Sequence, residues 1–142
     1  MKALTLYQPY ALLIVAGAKR IETRPRKTNI RGTVAVHAAK KPVQMVLDAI
    51  TSPVLRQKLV EVIETYTPLQ KLVYGAVIGT VDVVDCIPVE KVQGWLSVNE
   101  SLMGDYSPGR YAWILKNPVL FPHPIPATGK QGWWNWENES RL

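Results

Sequence analysis

Residues 19–41 hold the densest group of side chains that could do chemistry. They carry eight of the chain's 17 lysines and arginines and a single acidic residue, Glu22. Lysine and arginine side chains hold the phosphate oxygens of nucleic acids, so the cluster indicates a polyanionic partner. The alternative is a solvated surface whose charges only keep the protein soluble. The basic residues are Lys19, Arg20, Arg24, Arg26, Lys27, Arg31, Lys40 and Lys41.

Glu22 is the one carboxylate in this basic stretch. Alternation along an extended segment places Lys19 with Ile21 and Thr23, and Glu22 on the opposite face, although a turn after Gly17 would break the alternation at Lys19. In a binding site, the carboxylate would orient a neighbouring cation or accept a hydrogen bond from a base amino group. In an enzyme, Lys19 would act as acid or electrostatic stabiliser and Glu22 as base. The structural alternative is an ion pair that holds the loop.

Aromatic side chains form the second concentration. Aromatic faces beside a basic groove can stack nucleobases, but tryptophan is also a large core residue. Consecutive residues of a strand face opposite sides, so Trp133 and Trp134 cannot both point inward. We therefore expect one of them to lie in a cleft or in solvent. The aromatic residues near the C-terminus are Tyr106, Tyr111, Trp113, Trp133, Trp134 and Trp136.

Two further groups are candidates for phosphate contacts. His37 precedes Lys40 and Lys41 at the expected end of a strand. Lys130 lies in the short loop Gly129-Lys130-Gln131-Gly132. The loop lacks the spacing of a Walker motif. His37 and His123 are the only histidines and Cys86 is the only cysteine, too few for a typical protein-built metal site. We expect neither a metal nor a cofactor.

Composition limits the class of protein. The 142 residues suit one domain with one core, and 47% apolar and 20% charged residues are typical of a folded soluble chain. A net charge of +6 favours a polyanionic partner. The lone cysteine excludes an internal disulfide and fits a reducing compartment, so we expect a cytoplasmic protein. The apolar run at residues 11–16 is too short to span a bilayer and predicts a folded helix rather than a signal peptide.

The order of expected elements predicts an α+β domain with one curled sheet. Gly17 is expected to stop the first helix, and Gly75 and Gly79 to bend a long strand. A hydrophobic stripe at helical spacing, Leu55, Leu59, Val62, Ile63 and Tyr66, predicts the core-facing side of one helix. Residues 98–109 are expected to form a loop. The predicted strands cover residues 4–7, 19–24, 33–37, 73–85, 111–116 and 119–121, and the predicted helices cover 11–16, 42–50 and a segment starting at Ser52-Pro53.

Five blocks in this order resemble the ASCH family. Gly17 to Arg24 is similar to its G-x-K-x-x-E-x-R signature, and Gln8-Pro9-Tyr10-Ala11 to the Q-P-W/Y-A that precedes it. The other blocks are Arg31-Gly32 with residues 36–41, residues 75–86, and residues 111–113 with 124–133. The resemblance implies a PUA-like β-barrel with flanking helices and a cleft lined by the signature.

The resemblance also implies a link to RNA and DNA. Some members look like binding modules, one bacterial branch is an amidohydrolase of acetylated cytidine, and ribonuclease activity has been proposed for others. In the amidohydrolase branch a threonine nucleophile stands at the position of Glu22. Thr23 is one position away and should face the other side, so the resemblance does not carry that activity over.

These observations lead to one interpretation and one alternative. Residues 1–142 are interpreted as a single, monomeric ASCH domain that binds RNA, single-stranded DNA or a nucleoside and no membrane. The alternative is a metal-independent enzyme acting on RNA or on modified nucleosides, with Lys19 and Glu22 as its catalytic residues. The expected binding residues are Gln8, Tyr10, Arg24, His37, Lys40, Lys41, Lys130 and Trp133.

Overall fold

The computed structural model describes residues 1–137, which form six β-strands and four α-helices. The mixed α+β architecture confirms the predicted fold class. The strands are β1 (Lys2–Leu6), β2 (Ile21–Arg24), β3 (Gly32–Ala38), β4 (Ala76–Pro88), β5 (Tyr111–Pro126) and β6 (Trp133–Asn135). The helices are α1 (Tyr10–Val15), α2 (Val43–Asp48), α3 (Pro53–Glu64) and α4 (Val98–Leu102), with short 3₁₀ turns at Leu69–Lys71, Val89–Lys91 and Gln93–Trp95.

The strands form one curled sheet, a half-barrel, in the order β2-β5-β4-β3-β1-β6. β1 and β3 run parallel, whereas the other four neighbouring pairs are antiparallel. The long strands β4 and β5 are paired with three register shifts, one of them between Val77 and Gly79. Such irregularities increase local twist and let a long ribbon curl.

Gly79 allows this curl by its lack of a side chain. A Cβ atom there would lie 2.1 Å from the carbonyl oxygen of Val119 and 2.8 Å from Cγ1 of Val15. The predicted bend at Gly79 is therefore confirmed, and its cause is the close approach of β5 and α1 to the same backbone. Gly75 lies just before the strand, with a φ of +65°.

Helix α1 is buried against the concave face of the sheet. Residues 11–15 are all buried, together with Leu4 and Leu6 of β1 and Val34 and Val36 of β3. Gly17 follows the helix with a φ of +86°, which confirms the predicted stop.

Three sequence-based expectations need correction. Residues 98–109 are not all loop, because Ser97 caps the short helix α4 by accepting a hydrogen bond from the Glu100 N–H. The predicted strands at 111–116 and 119–121 are one continuous strand, β5. In α3 only Leu59 and Ile63 of the stripe are buried. Leu55 lies in the first turn and Tyr66 beyond the last helical residue, so both extend past the core and are exposed.

Candidate functional site

The turn between α1 and β2 positions the signature residues. The Gly17 N–H donates to the Ile14 carbonyl and the Lys19 N–H to the Leu13 carbonyl, so the chain closes onto the helix end before it enters β2. The regular strand starts only at Ile21, so alternation does not extend back to Lys19. Of the two expectations for Lys19, the structure therefore supports the second, a turn after Gly17 that breaks the alternation.

Lys19 is a buried cation with few partners. Its side chain is 2% exposed, and its ammonium donates to the Ile21 carbonyl and lies 4.0 Å from Glu22 Oε1. Burial lowers the pKa of Lys19, and the nearby Glu22 and Glu100 carboxylates offset part of that effect. An ammonium has three N–H donors, and within residues 1–137 only the Ile21 carbonyl accepts one in a hydrogen bond. The site therefore holds unused donor capacity out of contact with bulk water.

Glu22 lies between Lys19 and the interior of the half-barrel. Its Oε2 accepts a hydrogen bond of 2.7 Å from Arg24 Nε. Its direct cross-strand neighbour is Trp113 of β5, so both side chains stand on the same, concave face. The carboxylate also borders a small apolar cavity lined in part by Leu4, Leu6 and Trp133. The acid that stood alone in the sequence is thus bracketed by two cations at the edge of an apolar interior.

Trp113 and Trp133 form the aromatic side of the site. Their rings are stacked, with centroids 5.4 Å apart and an interplanar angle of 11°. The Arg24 guanidinium lies 5.7 Å from the centroid of the Trp113 ring. The Trp133 indole N–H donates to the Thr28 hydroxyl at 3.0 Å. As expected from alternation, the two consecutive tryptophans separate, since Trp133 joins this cluster and Trp134 is buried on the other face of the sheet.

Two tyrosines border the carboxylate. Burial, together with the Glu22 charge, raises the pKa of Tyr10. Burial also raises the pKa of Tyr106, with additional effects of Glu100 and Glu22. The Tyr106 hydroxyl is buried, and no atom of residues 1–137 forms a hydrogen bond with it. A Cβ on Gly104 would lie 2.9 Å from the Tyr106 ring and 3.6 Å from the Lys19 ammonium, so both side chains approach this glycine closely.

Glu100 is a site residue that sequence reasoning missed. Its carboxylate accepts hydrogen bonds of 3.1 Å from the backbone N–H groups of Arg20 and Ile21, and it ties α4 to the start of β2. Ser97 and Glu100 form an S-x-x-E pattern, which indicates a helix start and could have revealed α4. Nothing local could have shown that the carboxylate reaches a strand about 80 residues earlier in the chain. For Tyr106 the sequence indicates only a possible stacking role.

The family follows from comparison with known proteins. Residues 4–124 match the family model described as the ASCH domain. The chain belongs to the ASCH family. This ASCH domain is 29% identical over 139 residues to activating signal cointegrator 1 of Homo sapiens and 28% identical to the Mus musculus protein. The match covers 96% of this chain and 22% of each relative, so the chain spans about a fifth of their length. ASCH domains are associated with RNA binding.

Solved structures show the same fold. The crystal structure of ASCH from Zymomonas mobilis superposes with a TM-score of 0.57 at 16% identity, covering 99% of this ASCH domain and 90% of that chain. A serine-to-alanine variant of that protein gives a TM-score of 0.55 at 14% identity, covering 99% and 91% of the two chains. Within residues 1–137, no helix has the length and apolar character needed to cross a membrane.

The other expected binding residues of the ASCH domain lie apart from Glu22. Gln8 is buried, and its side chain bonds to backbone groups of the protein. It donates to the Val73 carbonyl and accepts from the Leu12 N–H. His37 lies on the face of β3 opposite Val34 and Val36, and its Nε2 lies 2.7 Å from the Ala127 carbonyl oxygen.

Among the described residues, none of the three remaining lysines forms an ion pair with Glu22. Lys41 stands over the ring of the exposed Tyr7, 4.5 Å from its centroid, and the Lys40 stem packs against Gly75. Lys130 is exposed and follows Gly129, which packs on His37. The structure thus separates the expected site into a Lys19–Glu22 cluster and a second basic group. Among residues 1–137 no three His, Cys, Asp or Glu side chains are grouped as a metal site.

Proposed function

We propose that this ASCH domain binds single-stranded RNA and holds one unpaired nucleotide beside Lys19, Glu22 and Tyr106. The observation that carries the proposal is the Lys19 ammonium, which is buried yet has donor capacity left over. A buried charged group without full hydrogen bonding is costly, so a ligand that supplies acceptors gains affinity there. RNA phosphates, base carbonyls and sugar hydroxyls are such acceptors.

The neighbouring groups match an unstacked nucleotide. Glu22 accepts hydrogen bonds, as a base amino group requires, whereas the unpartnered Tyr106 hydroxyl can donate or accept one. Single-stranded RNA is recognised through the edges and faces of splayed bases, and Tyr10 and Trp133 supply aromatic surface at this position. Arg24 would contact a flanking phosphate while it keeps its bond to Glu22.

The second basic group would extend the contact along the strand. Lys40, Lys41 and Lys130 are positively charged side chains outside the cluster, and the chain carries a net charge of +6. Their contribution would be mainly to phosphate binding and would weaken as salt rises.

A titration of fluorescently labelled single-stranded RNA by anisotropy tests the proposal. We expect a Kd in the micromolar range at about 50 mM salt that rises with salt. Lys19→Met keeps the volume of the side chain and removes the donors, so it should weaken binding about tenfold, which corresponds to the loss of one charge-assisted hydrogen bond. Lys71→Met, which removes an exposed lysine elsewhere, is the matched control. Equal Kd values for the two variants would exclude the proposed site, and absence of binding at low salt would exclude the function.

The position of the Lys19 ammonium 4.0 Å from the Glu22 carboxylate favours one second candidate, a metal-independent hydrolase acting on a modified nucleoside. Glu22 would take a proton from the water that attacks the acyl carbon, and the Lys19 ammonium would stabilise the negative charge on the carbonyl oxygen. The acyl C–N bond would then break, with the proton passed from Glu22 to the leaving amino nitrogen and the acid released. Thr23 is not available as a nucleophile here, because its hydroxyl accepts the Asp105 N–H on the other face of β2. Release of acid from a panel of acylated nucleosides, reduced about 10²- to 10⁴-fold by Glu22→Gln, would support this candidate.

A further inference from the structure

A second concave region lies between the end of α1 and a bend in β5. It is an open groove of about 470 Å³ bordered by Ala16 and Gly17 on one side and by Asn117 and Pro118 on the other. Asn117 has a φ of 53°, which marks the bend. A Cβ on Gly17 would lie 3.3 Å from Cγ of Pro118, so the two walls meet closely at one end. The groove is distinct from the apolar cavity at Glu22, and the two are separated by side chains that line both of them, Ile14, Val81 and Leu115.

The groove is strongly one-sided in charge. Three of its lining residues are basic, Lys19, Arg20 and Lys116, and none of those drawn from residues 1–137 is acidic. Arg20 and Lys116 are exposed, and neither forms an ion pair within the described part of the chain. The Lys19 ammonium already faces Glu22, so the charge offered to a ligand is that of the two exposed cations, which attract an anion of compact size.

The nearest acid along the sheet does not neutralise this charge. Asp82 is the cross-strand neighbour of Lys116, but its two carboxylate oxygens accept hydrogen bonds from Asn117, at 2.9 Å, and from Thr33, at 2.7 Å. No contact within 4.0 Å joins Asp82 to Lys116. Lys116 is therefore free to turn toward a ligand.

The floor of the groove is apolar and rigid, because it is formed by core side chains that are at most 6% exposed: Ile14, Val81 and Leu115. The apolar surface open to a ligand therefore comes from the rims, from the half-buried Ala16 and the exposed Pro118. The volume of the groove falls in the common range of small-molecule sites, about 300–1,000 Å³. A flat ring would pack against Pro118 while an attached anion reaches Arg20 and Lys116.

We propose that this groove binds a nucleotide unit, with the base against Ala16 and Pro118 and the phosphate held by Arg20 and Lys116. The unit belongs either to a free mononucleotide or to one residue of an RNA strand. In the second case the inference rests on the proposed function and places a second nucleotide on the far side of Lys19.

Titration of isotope-labelled protein with uridine 5′-monophosphate, followed by amide NMR shifts, tests the site. We expect shifts at Gly17, Arg20 and Lys116, and at least fivefold weaker binding by the double variant Arg20→Ala/Lys116→Ala. Ala16→Met fills the groove without changing its charge and should also weaken binding. Lys71→Ala/Lys91→Ala removes two exposed cations elsewhere and is the control. Uridine, which lacks the phosphate, should bind at least fivefold more weakly than the monophosphate.

Two arms separate the sources and the two proposals. If the strand is the source, Lys116→Ala weakens binding of labelled RNA while the monophosphate causes no shifts in the groove. If the free nucleotide is the source, the monophosphate binds whether or not Glu22→Gln affects RNA. Unchanged affinity of both ligands in the double variant and in Ala16→Met, or shifts confined to residues outside the groove, would overturn the inference even if RNA binding at Glu22 is intact.

Discussion

The indole rings of Trp113 and Trp133 stack at 5.4 Å and join the two sides of the curled sheet. Trp113 belongs to β5, next to the edge strand β2, whereas Trp133 belongs to β6 at the opposite edge. The sheet order alone leaves these strands far apart. The ring contact, together with the Trp133–Thr28 hydrogen bond, therefore helps to close the half-barrel beside Glu22.

Trp133→Ala should destabilise the domain by about 2–4 kcal/mol, because it removes the stacked ring, its hydrogen bond and a wall of the interior. Trp95→Ala is the control, since Trp95 is 72% exposed and its loss should change stability by less than about 0.5 kcal/mol. Urea denaturation of both variants measures the difference. Similar losses in the two variants would show that the stack does not hold the sheet closed.

Glu22→Gln should lower stability and weaken RNA binding together. The amide still accepts a hydrogen bond from Arg24, but the buried Lys19 loses the adjacent negative charge, which we expect to cost about 1–3 kcal/mol. Glu64→Gln, at an exposed position of α3, is the matched control. Thermal melts and anisotropy on both variants decide the role, since tighter binding with an unchanged melting temperature would contradict positioning by Glu22.

His37 should make stability fall on the acid side of neutrality. Burial lowers the pKa of His37 from 6.5, the Ala127 bond counteracts this, and the Lys40 charge adds to it. Below pH 6.5 the unfolded chain binds a proton that the folded chain does not, so the unfolding free energy decreases by up to about 1.4 kcal/mol per pH unit until the lowered pKa is reached. Protonation would also put an N–H on Nδ1, which is buried and has no hydrogen-bond partner among residues 1–137.

Urea denaturation between pH 7.5 and pH 5 measures this effect. His37→Asn should flatten the pH dependence, whereas His123→Asn, at the exposed histidine, should leave it as in the unmodified protein. An identical pH profile in all three proteins would show that His37 does not remain neutral when the chain is folded.

The two leucines of α3 should differ in their contribution to stability. Leu59 is buried, so Leu59→Ala should cost about 2–4 kcal/mol. Leu55→Ala removes an exposed side chain and should cost less than about 1 kcal/mol. Equal losses in denaturant titrations would mean that the helix buries its first turn in solution.

Much of the fold could be predicted because the signals are local. Glycine can adopt the left-handed conformation seen at Gly17 because it has no side chain. The alternation of Glu22 with its neighbours is likewise a property of any strand. The same locality explains the failures. The local S-x-x-E pattern was not used to predict α4. Helical periodicity alone does not show how far a stripe extends past the core, so it did not reveal that Leu55 and Tyr66 are exposed.

Only the part of the candidate site that is contiguous in sequence could be predicted. The sequence by itself determined that Lys19, Glu22 and Arg24 lie close together, since they are separated by a few residues of turn and strand. Only the tertiary structure decided that Glu100, Tyr106 and Trp133 join them and that His37 faces the other side of the sheet. Those contacts depend on the register and curl of six strands. Register and curl are set by hydrogen bonds and packing between distant segments, such as Thr28 and Trp133, which are 105 residues apart.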